Sequence, residues 1–523
     1  MPAYASFSAW SQAKKSHKIY LLTVTGKRYT GAAVETITRR YATEPYATLP
    51  TDSPANTEFL PLLRNCPDIQ QALAWVNGSD LSGTPRSFAA FAHAVLANNG
   101  DALGNDWGPG RHNAEGWDVV LDVTGPHTEL AYANRGHLLT GVGGKHTLSD
   151  TEMTLELFDN AAKWDVTLGA DELLVSNYAN LPVGNIGKTK PVVLGQVFNH
   201  EPVLIDDASF VYLVSNENVQ AISAVYSNLH ALTLSSEYTV QLTASGGATF
   251  TLASSPGDAR ITCDVQGRKP AHLSAYSANK GEVIESIIRE DAGAGTSDFN
   301  TSALAAFKTA THDIGYVVTA PMRALALVDL LLATPRDYYE IEGDGKFAAH
   351  IFAAPSGSPD FTFTTANGKI VELIGSPIVE EITPIYEAIV SYEHVEVTMA
   401  ESETAGAADL EAKHRVKEEY RTRRSTDAVV QTWAKRATSL GPLLSRLVNS
   451  ADAATIAASL MSLFGVGRWL VRGEFKLQPF NINLGDVIEL DRTKLGLDVG
   501  DPNLFRVVAR QVTRRGVELT LFQ

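Results

Sequence analysis

The run from Val471 to Phe522 decides the fold. Within it stand Leu484-Gly485-Asp486-Val487-Ile488-Glu489-Leu490, then Leu495-Gly496-Leu497-Asp498-Val499-Gly500, then Phe505-Arg506-Val507-Val508-Ala509-Arg510, then Val517 to Phe522. This reads as a strand, a turn, a strand, another turn and a closing hairpin. Val517, Leu519 and Leu521 alternate with Glu518 and Thr520, so one face is expected to be buried and the other wet. A helix of small residues precedes it: Asp452 to Leu463 places Ile456, Leu460 and Leu463 on one side, with Gly465 as its C-cap.

Working back, the period changes twice. Glu401 to Arg424 is dense in charge, with Leu410, Val416 and Tyr420 as its large apolar residues, and is expected to be a solvated or subunit-facing helix. Residues 280–390 read as α+β. Val283, Ile284, Ile287 and Ile288 form one stripe behind an Asn279/Glu282 capping pattern, a second helix runs from Ser302 to His312, and a third opens at Pro321 and is apolar nearly all round. Gly343-Asp344-Gly345 is a hairpin turn between Tyr338–Ile341 and Phe347–Phe352. Residues 191–268 hold several short alternating strands separated by Gly, Ser and Pro, as in a small antiparallel β domain. Residues 1–190 are mostly β, with strands at Ile19–Val24, Trp117–Val123 and Met153–Phe158 and turns at Gly26-Lys27 and Asn98–Asp101. The period of Ser87–Ala97 leaves helix and strand both open.

A chain of 523 residues should hold roughly three or four domains of about 100–200 residues each. No apolar run approaches the ~20 residues of a spanning helix, and Ile19–Val24 is too short for a signal core, so no membrane anchor is expected and synthesis in the cytoplasm is. The net charge of −16 argues against a groove-binding nucleic-acid protein, while suiting a surface past which nucleic acid slides. Two cysteines exclude a disulfide framework and Cys-rich metal sites. Cys263 falls on the apolar face of a strand, and Cys66 has no chemistry nearby.

The chain offers chemistry that does not withstand scrutiny. Gly184-Asn185-Ile186-Gly187-Lys188-Thr189 lacks the glycine of a phosphate loop, since Pro182 occupies that position, and a strand follows where a helix is required. Gly141–His146 has His146 where Ser or Thr would hold magnesium. His127, His137 and His146 are spaced as strand-end or loop positions. Asp101 with Asp106, and Glu380 with Glu381, are paired carboxylates on paper, but glycoside hydrolysis needs a fixed separation across a cleft. Arg415, Lys417, Arg421, Arg423 and Arg424 form a basic cluster, read as a helix paired with Glu411, Glu418 and Glu419 at helical spacing. Tyr338-Tyr339 and Trp107, Trp117 and Trp164 are the candidate stacking aromatics, with core tryptophans the commoner case. No catalytic, cofactor-binding or metal residue is expected.

Several landmarks, in order, resemble the baseplate or tail-tip hub proteins of long-tailed bacteriophages, of the Mu-like siphophage and gene-transfer-agent type. They are Arg40–Thr43 with Thr48–Pro50, Lys190–Asn199 with Pro202–Asp206, Ala221–Tyr226, Tyr238–Leu242, Ile261–Gly267, the Asp344–Phe347 hairpin and the C-terminal run. The resemblance implies a β-rich α+β multidomain fold: a tube-like β-barrel domain at 1–190, a small antiparallel β domain at 191–275, an α+β domain at 276–400, and at 401–523 a helical segment and strands completing a second tube-like barrel. It implies a non-enzymatic homotrimer without cofactor, in the virion tail, adapting a sixfold tube to a threefold tip. Implied partners are distal tail or tail-tube proteins, the tape measure and lower tip or fibre proteins, with DNA passing through the channel unbound. The alternatives are a carbohydrate- or receptor-binding tail protein and a tail-borne cell-wall hydrolase.

Overall fold

The computed structural model describes residues 2–11, 13, 16–29, 33–64, 68–73, 87–89, 92–98, 102–108, 112–243, 246–363, 377–475, 482–490, 503–512 and 516–523. Strands dominate, in several antiparallel sheets with helices packed between and against them, so the fold is β-rich α+β.

The first sheet runs Val34–Ala42, Ile19–Tyr29, Asp118–Thr124, Gly136–Leu148, Glu152–Asp159, Ala92–Ala97, each strand antiparallel to the next. Residues 60–64 close it. The Leu60 and Leu63 amides donate to the Arg40 and Ala42 carbonyls, and on the other side the Arg64 amide donates to the Val95 carbonyl. The resulting barrel is filled by inward positions of alternating strands, among them Leu22, Val24, Leu96, Val119, Leu121 and Leu155. Gly26 and Lys27 are not a turn. They sit inside the Ile19–Tyr29 strand opposite Ile37 and Thr36. A Cβ on Gly26 would lie 1.9 Å from the Trp117 ring, so the glycine serves the packing of an indole over the strand.

In the segment whose period was ambiguous, the described residues form two strands, Ser87–Ala89 and Ala92–Ala97. Its two halves belong to different sheets. Ala92–Ala97 pairs with Glu152–Asp159 in the barrel. Ser87–Ala89 pairs with Ile69–Leu73, and that strand pairs in turn with Leu504–Val512 of the C-terminal sheet. One β-hairpin therefore passes from the first sheet into the second. The second sheet runs Phe361–Phe363, Val487–Leu490, Leu504–Val512, Val517–Phe522, Arg468–Phe475, Ile378–Ile382. The strands anticipated at 471–490, 505–510 and 517–522 are all there, while the 495–500 turn lies outside the described residues.

Val517–Phe522 departs from the one-wet-face expectation. Glu518 is exposed, but Thr520 is buried and so is Phe522. Phe522 meets Phe352 and Phe464 edge-on, with ring centroids 5.0 and 6.1 Å apart. The second face is thus covered by the end of the helix Ser450–Phe464 and by the chain leaving strand Phe347–Ile351. That helix buries Ile456, Leu460 and Leu463 as its spacing requires. Gly465 caps it at φ −78, not in the left-handed region; a Cβ there would lie 2.5 Å from the Met461 carbonyl.

Residues 192–266 build two small sheets around their own core of Val193, Val197, Tyr212, Val214, Phe250 and Val265, joined by Gly315–Val318 as an added strand against Val192–His200. Cys263 is fully buried there. Cys66 lies outside the described residues.

In the α+β part, Asn279 caps the helix Lys280–Ser286 by accepting from the Gly281 amide at 2.9 Å. Glu282 does not return to that cap but faces Lys308 at 2.7 Å. The helix continues as a π-turn, Ile287–Asp291. Thr301–Ala310 is the second helix. The third starts at Ala324, not at Pro321, because Met322–Arg323 is held extended by pairing with Thr167–Leu168. It is buried, as its apolar girth requires. Tyr338–Ile341 and the strand from Phe347 pair across the Gly343–Gly345 turn as expected.

The charge-dense stretch is not one helix. It holds a short 3-10 turn, Glu401–Glu403, the helix Leu410–Val416 capped by Asp409, and the strand Arg421–Thr426, which pairs with Ile385–Tyr392. Among the described residues no helix is long and apolar enough to cross a membrane.

Gly26→Val should cost about 1–3 kcal/mol by forcing Trp117 off its strand. Chemical denaturation would show this as a lower midpoint with an unchanged slope.

Candidate functional site

The positions flagged for chemistry do not converge. His127 stacks on Tyr46 and meets the Ala47 carbonyl at 2.7 Å, His146 meets the Trp107 carbonyl at 3.0 Å, and His137 Nδ1 lies 2.6 Å from Asp122. Each ring is thus engaged locally. Asp106 takes a two-pronged contact from Arg39, while Asp101 lies outside the described residues. Glu380 and Glu381 are exposed neighbours on the strand Ile378–Ile382 and so point to opposite faces. Gly184–Thr189 is a 3-10 turn and loop in which the Lys188 ammonium donates to Asn185 at 2.7 Å, and Gly141–His146 lies within the Gly136–Leu148 strand.

The arginines of the basic cluster find other partners than helical spacing suggested. Arg415 and Arg421 converge on Glu393 at 2.9 and 3.1 Å, Arg424 reaches Glu387 at 3.5 Å, and Arg423 donates to the Ser450 hydroxyl at 2.6 Å. Glu393 and Glu387 reach these arginines through strand pairing with Arg421–Thr426 or the loop beyond it, a relation that helical spacing cannot express. Trp107, Trp117 and Trp164 are core, and Tyr338 and Tyr339 are buried.

What the geometry does assemble is a surface. Among large apolar residues that are exposed while lying on described strands, there are four: Val34, Ile378, Val379 and Trp469. Val379 and Trp469 share a face, because Ile378–Ile382 pairs with Arg468–Phe475, setting Glu381 opposite Trp469 and Val379 opposite Val471, while Ile378 projects from the other face of the same edge strand. Exposed Val466 follows the helix Ser450–Phe464, and Trp433 reaches within 4.0 Å of a Cβ built on Gly467. Among the described residues Ile378–Ile382 is hydrogen-bonded on one side only. This is an open sheet edge flanked by an apolar patch, a combination that proteins ordinarily cover.

Between the hairpin strands and the two sheets lies a joint. The Asp337–Ile341/Phe347–Ile351 hairpin touches the barrel at its tip, where the Asn160 amide donates to the Gly345 carbonyl at 2.8 Å. Just before its turn it takes a hydrogen bond from the Gln71 amide to the Ile341 carbonyl at 2.9 Å. Its base meets the C-terminal sheet, where Tyr338 packs so close to Gly485 that a Cβ there would lie 2.2 Å from the hydroxyl.

One cavity of about 490 Å³ opens beside the small sheets, lined by Lys188, His200, Glu201, Tyr212, Arg260 and Glu396 among others. Arg260 and Glu201 pair across it at 2.9 Å. Burial lowers the His200 pKa, against the pull of Glu396, and the ring meets the Val214 carbonyl at 3.1 Å. These residues come from five separate stretches of chain, and no local pattern announces them.

No family model and no curated protein matches this sequence. Three solved structures align with the chain at low identity. A protein of the virion of a native gene transfer agent particle aligns with TM-score 0.43 at 12% identity, over 64% of this chain and 84% of that one. The 43 kDa tail protein of prophage MuSo2 from Shewanella oneidensis aligns with TM-score 0.38 at 7% identity, over 96% and 97%. A prophage tail protein, gp18, from Listeria monocytogenes aligns with TM-score 0.38 at 7% identity, over 97% and 94%.

The His137–Asp122 hydrogen bond raises the histidine pKa above its usual 6.5, against partial burial. The stability it contributes is fully present below the unfolded value and is lost as pH rises through the raised folded value. In Asp122→Asn the His137 titration should fall towards or below 6.5, read from its ring proton shifts by NMR.

Proposed function

We propose that the protein is a non-enzymatic structural component of a phage tail, the hub that closes the tail tube. The observation that carries this reading is the joining of the barrel and the C-terminal sheet by one hairpin, which makes two β bodies of one chain a single hydrogen-bonded arc. The collinear sequence landmarks support it independently. Three arcs would close a ring of six β bodies, threefold in composition and near-sixfold in outline. On this reading residues 1–190 and the strands of 401–523 form the two tube-like bodies. Residues 191–275 and 276–400 form the small β and α+β domains that meet tip or fibre proteins. The tape measure and DNA occupy the channel.

A ring needs a surface on each arc that differs from the one it meets, since head-to-tail contacts close rings. The open Ile378–Ile382 edge with Trp469 and Trp433 is the surface this reading assigns to a neighbouring copy. Obligate contacts of this kind bury about 2,000 Å² or more.

The full chain should run at three times 56.3 kDa by mass photometry, and imaging of purified tails should place it at the threefold tip. Ile378→Asp with Val379→Asp should leave a folded monomer by circular dichroism. A wild-type chain that stays monomeric within assembled tails would refute the hub reading. A second reading, a saccharide-binding tail protein, is favoured by the polar cavity near Arg260, whose volume lies in the usual ligand range. Binding of a cell-surface glycan by the isolated chain, lost in Arg260→Ala, would decide for it.

A further inference from the structure

Two groups of side chains among the described residues bring three ligand-type atoms within 4.8 Å of one another: His272, Glu282 and Glu285, and Glu340, Glu342 and His350. The first group is already filled with cations. Lys308 Nζ lies 2.7 Å from Glu282 and also contacts Glu285, and Arg289 contacts Glu285 as well.

The second group is different. Glu340 and Glu342 are two residues apart along an extended chain and project from one face. His350 lies on the paired strand opposite Tyr338, on that same face. Glu340 is 2% exposed. His350 Nε2 is buried without a hydrogen-bond partner and lies 3.2 Å from Glu340 Oε1. A tetrahedral ion with bonds of about 2.0–2.1 Å sets neighbouring ligand atoms about 3.3 Å apart. The two buried atoms thus stand at the spacing of two ligands on one ion.

We propose that Glu340, Glu342 and His350 bind a divalent transition-metal ion of the zinc class, with water completing the set. The donors are mixed nitrogen and oxygen, which favours zinc-like ions over calcium or magnesium, whose sites are built from oxygen. Supporting contacts are present. The Asn300 amide donates to Glu342 Oε1 at 2.6 Å, and the Tyr338 ring stacks on His350 with centroids 5.2 Å apart. Such second contacts orient ligands and tune affinity. Burial lowers the pKa of the Arg510 guanidinium while Glu340 and then Asp486 raise it, so its charge is shared between the two carboxylates. An ion here would lock the two strands of the hairpin that touches both β bodies, and its role would be to brace that joint. The inference does not depend on the tail reading.

The test uses the full chain, stripped with chelator, passed through gel filtration and titrated with zinc chloride or cobalt(II) chloride. The expected result is about one tightly held equivalent, visible cobalt absorption of a tetrahedral site, and a thermal midpoint that rises with zinc. His350→Gln and Glu340→Gln should abolish all three. Asn300→Ala should bind about 10–100-fold more weakly. Glu282→Gln should bind as wild type. If Glu340→Gln does not fold, His350→Gln, at a half-buried position, decides alone. Zinc that is not retained, or is retained equally by the His350 variant, would overturn the proposal.

Discussion

Ile69–Leu73 finds its partner at the other end of the chain, in Leu504–Val512. The rest of the architecture depends on this pairing. It turns two sheets, each able to bury a core, into one continuous set of strands. Closing so long a loop is thermodynamically mild, because each doubling of loop length adds only about 0.6 kcal/mol. The burden is kinetic, since non-local β contacts form slowly. The hairpin Asp337–Ile341/Phe347–Ile351 fits that order of events. Its contacts to Gln71, Asn160 and Gly485 are of use only once both bodies exist, and it then fills the joint between them.

Buried charge helps to decide how that hairpin is seated. Lys280 and Asp337 pair at 2.5 Å with both side chains 2% exposed. Arg268 grips Asp291 with two bonds of 2.8 Å and reaches Glu217. Pairs so deep add little net stability, because desolvation offsets attraction, but leaving one partner alone costs about 3–5 kcal/mol. They therefore act against alternative packings more than for the native one. Lys280 opens a helix and Asp337 opens the hairpin, so the pair ties the start of one element to the start of the other.

Legibility followed the range of the governing interaction. The short strands of 192–266 and the helix Ser450–Phe464 were readable because their own apolar period places their buried faces. Asn279 was readable because a cap is local. Gly26 was misread as a turn because its cause is an indole ninety residues on in the chain, at Trp117. Arg421–Thr426 resembled a helix because its charges have helical spacing, yet strand pairing with Ile385–Tyr392 brings better-placed acids. Thr520 was assigned to water and Phe522 to no particular face because nothing in 517–522 reveals that this side of the strand is buried, with Phe352 and Phe464 against Phe522. The cluster of Glu340, Glu342 and His350 could not be found from histidine spacing, since its geometry exists only across a paired hairpin.

The open edge at Ile378–Ile382 raises a question of symmetry. An edge with exposed isoleucine and valine could pair with its own copy, and the simplest such contact is a twofold, antiparallel one. Centred on the strand, that pairing would set Glu380 opposite the Glu380 of the second copy, and like charges directly opposite are destabilising. Glu381 has no ion-pair partner among the described residues, and Glu380 has Arg472 only at 3.7 Å, so neither carboxylate is well neutralised within the chain. The edge therefore resists its own image while remaining open to a different surface. Two glutamates on one short strand thus disfavour a twofold pair through this edge and favour a contact between unlike surfaces.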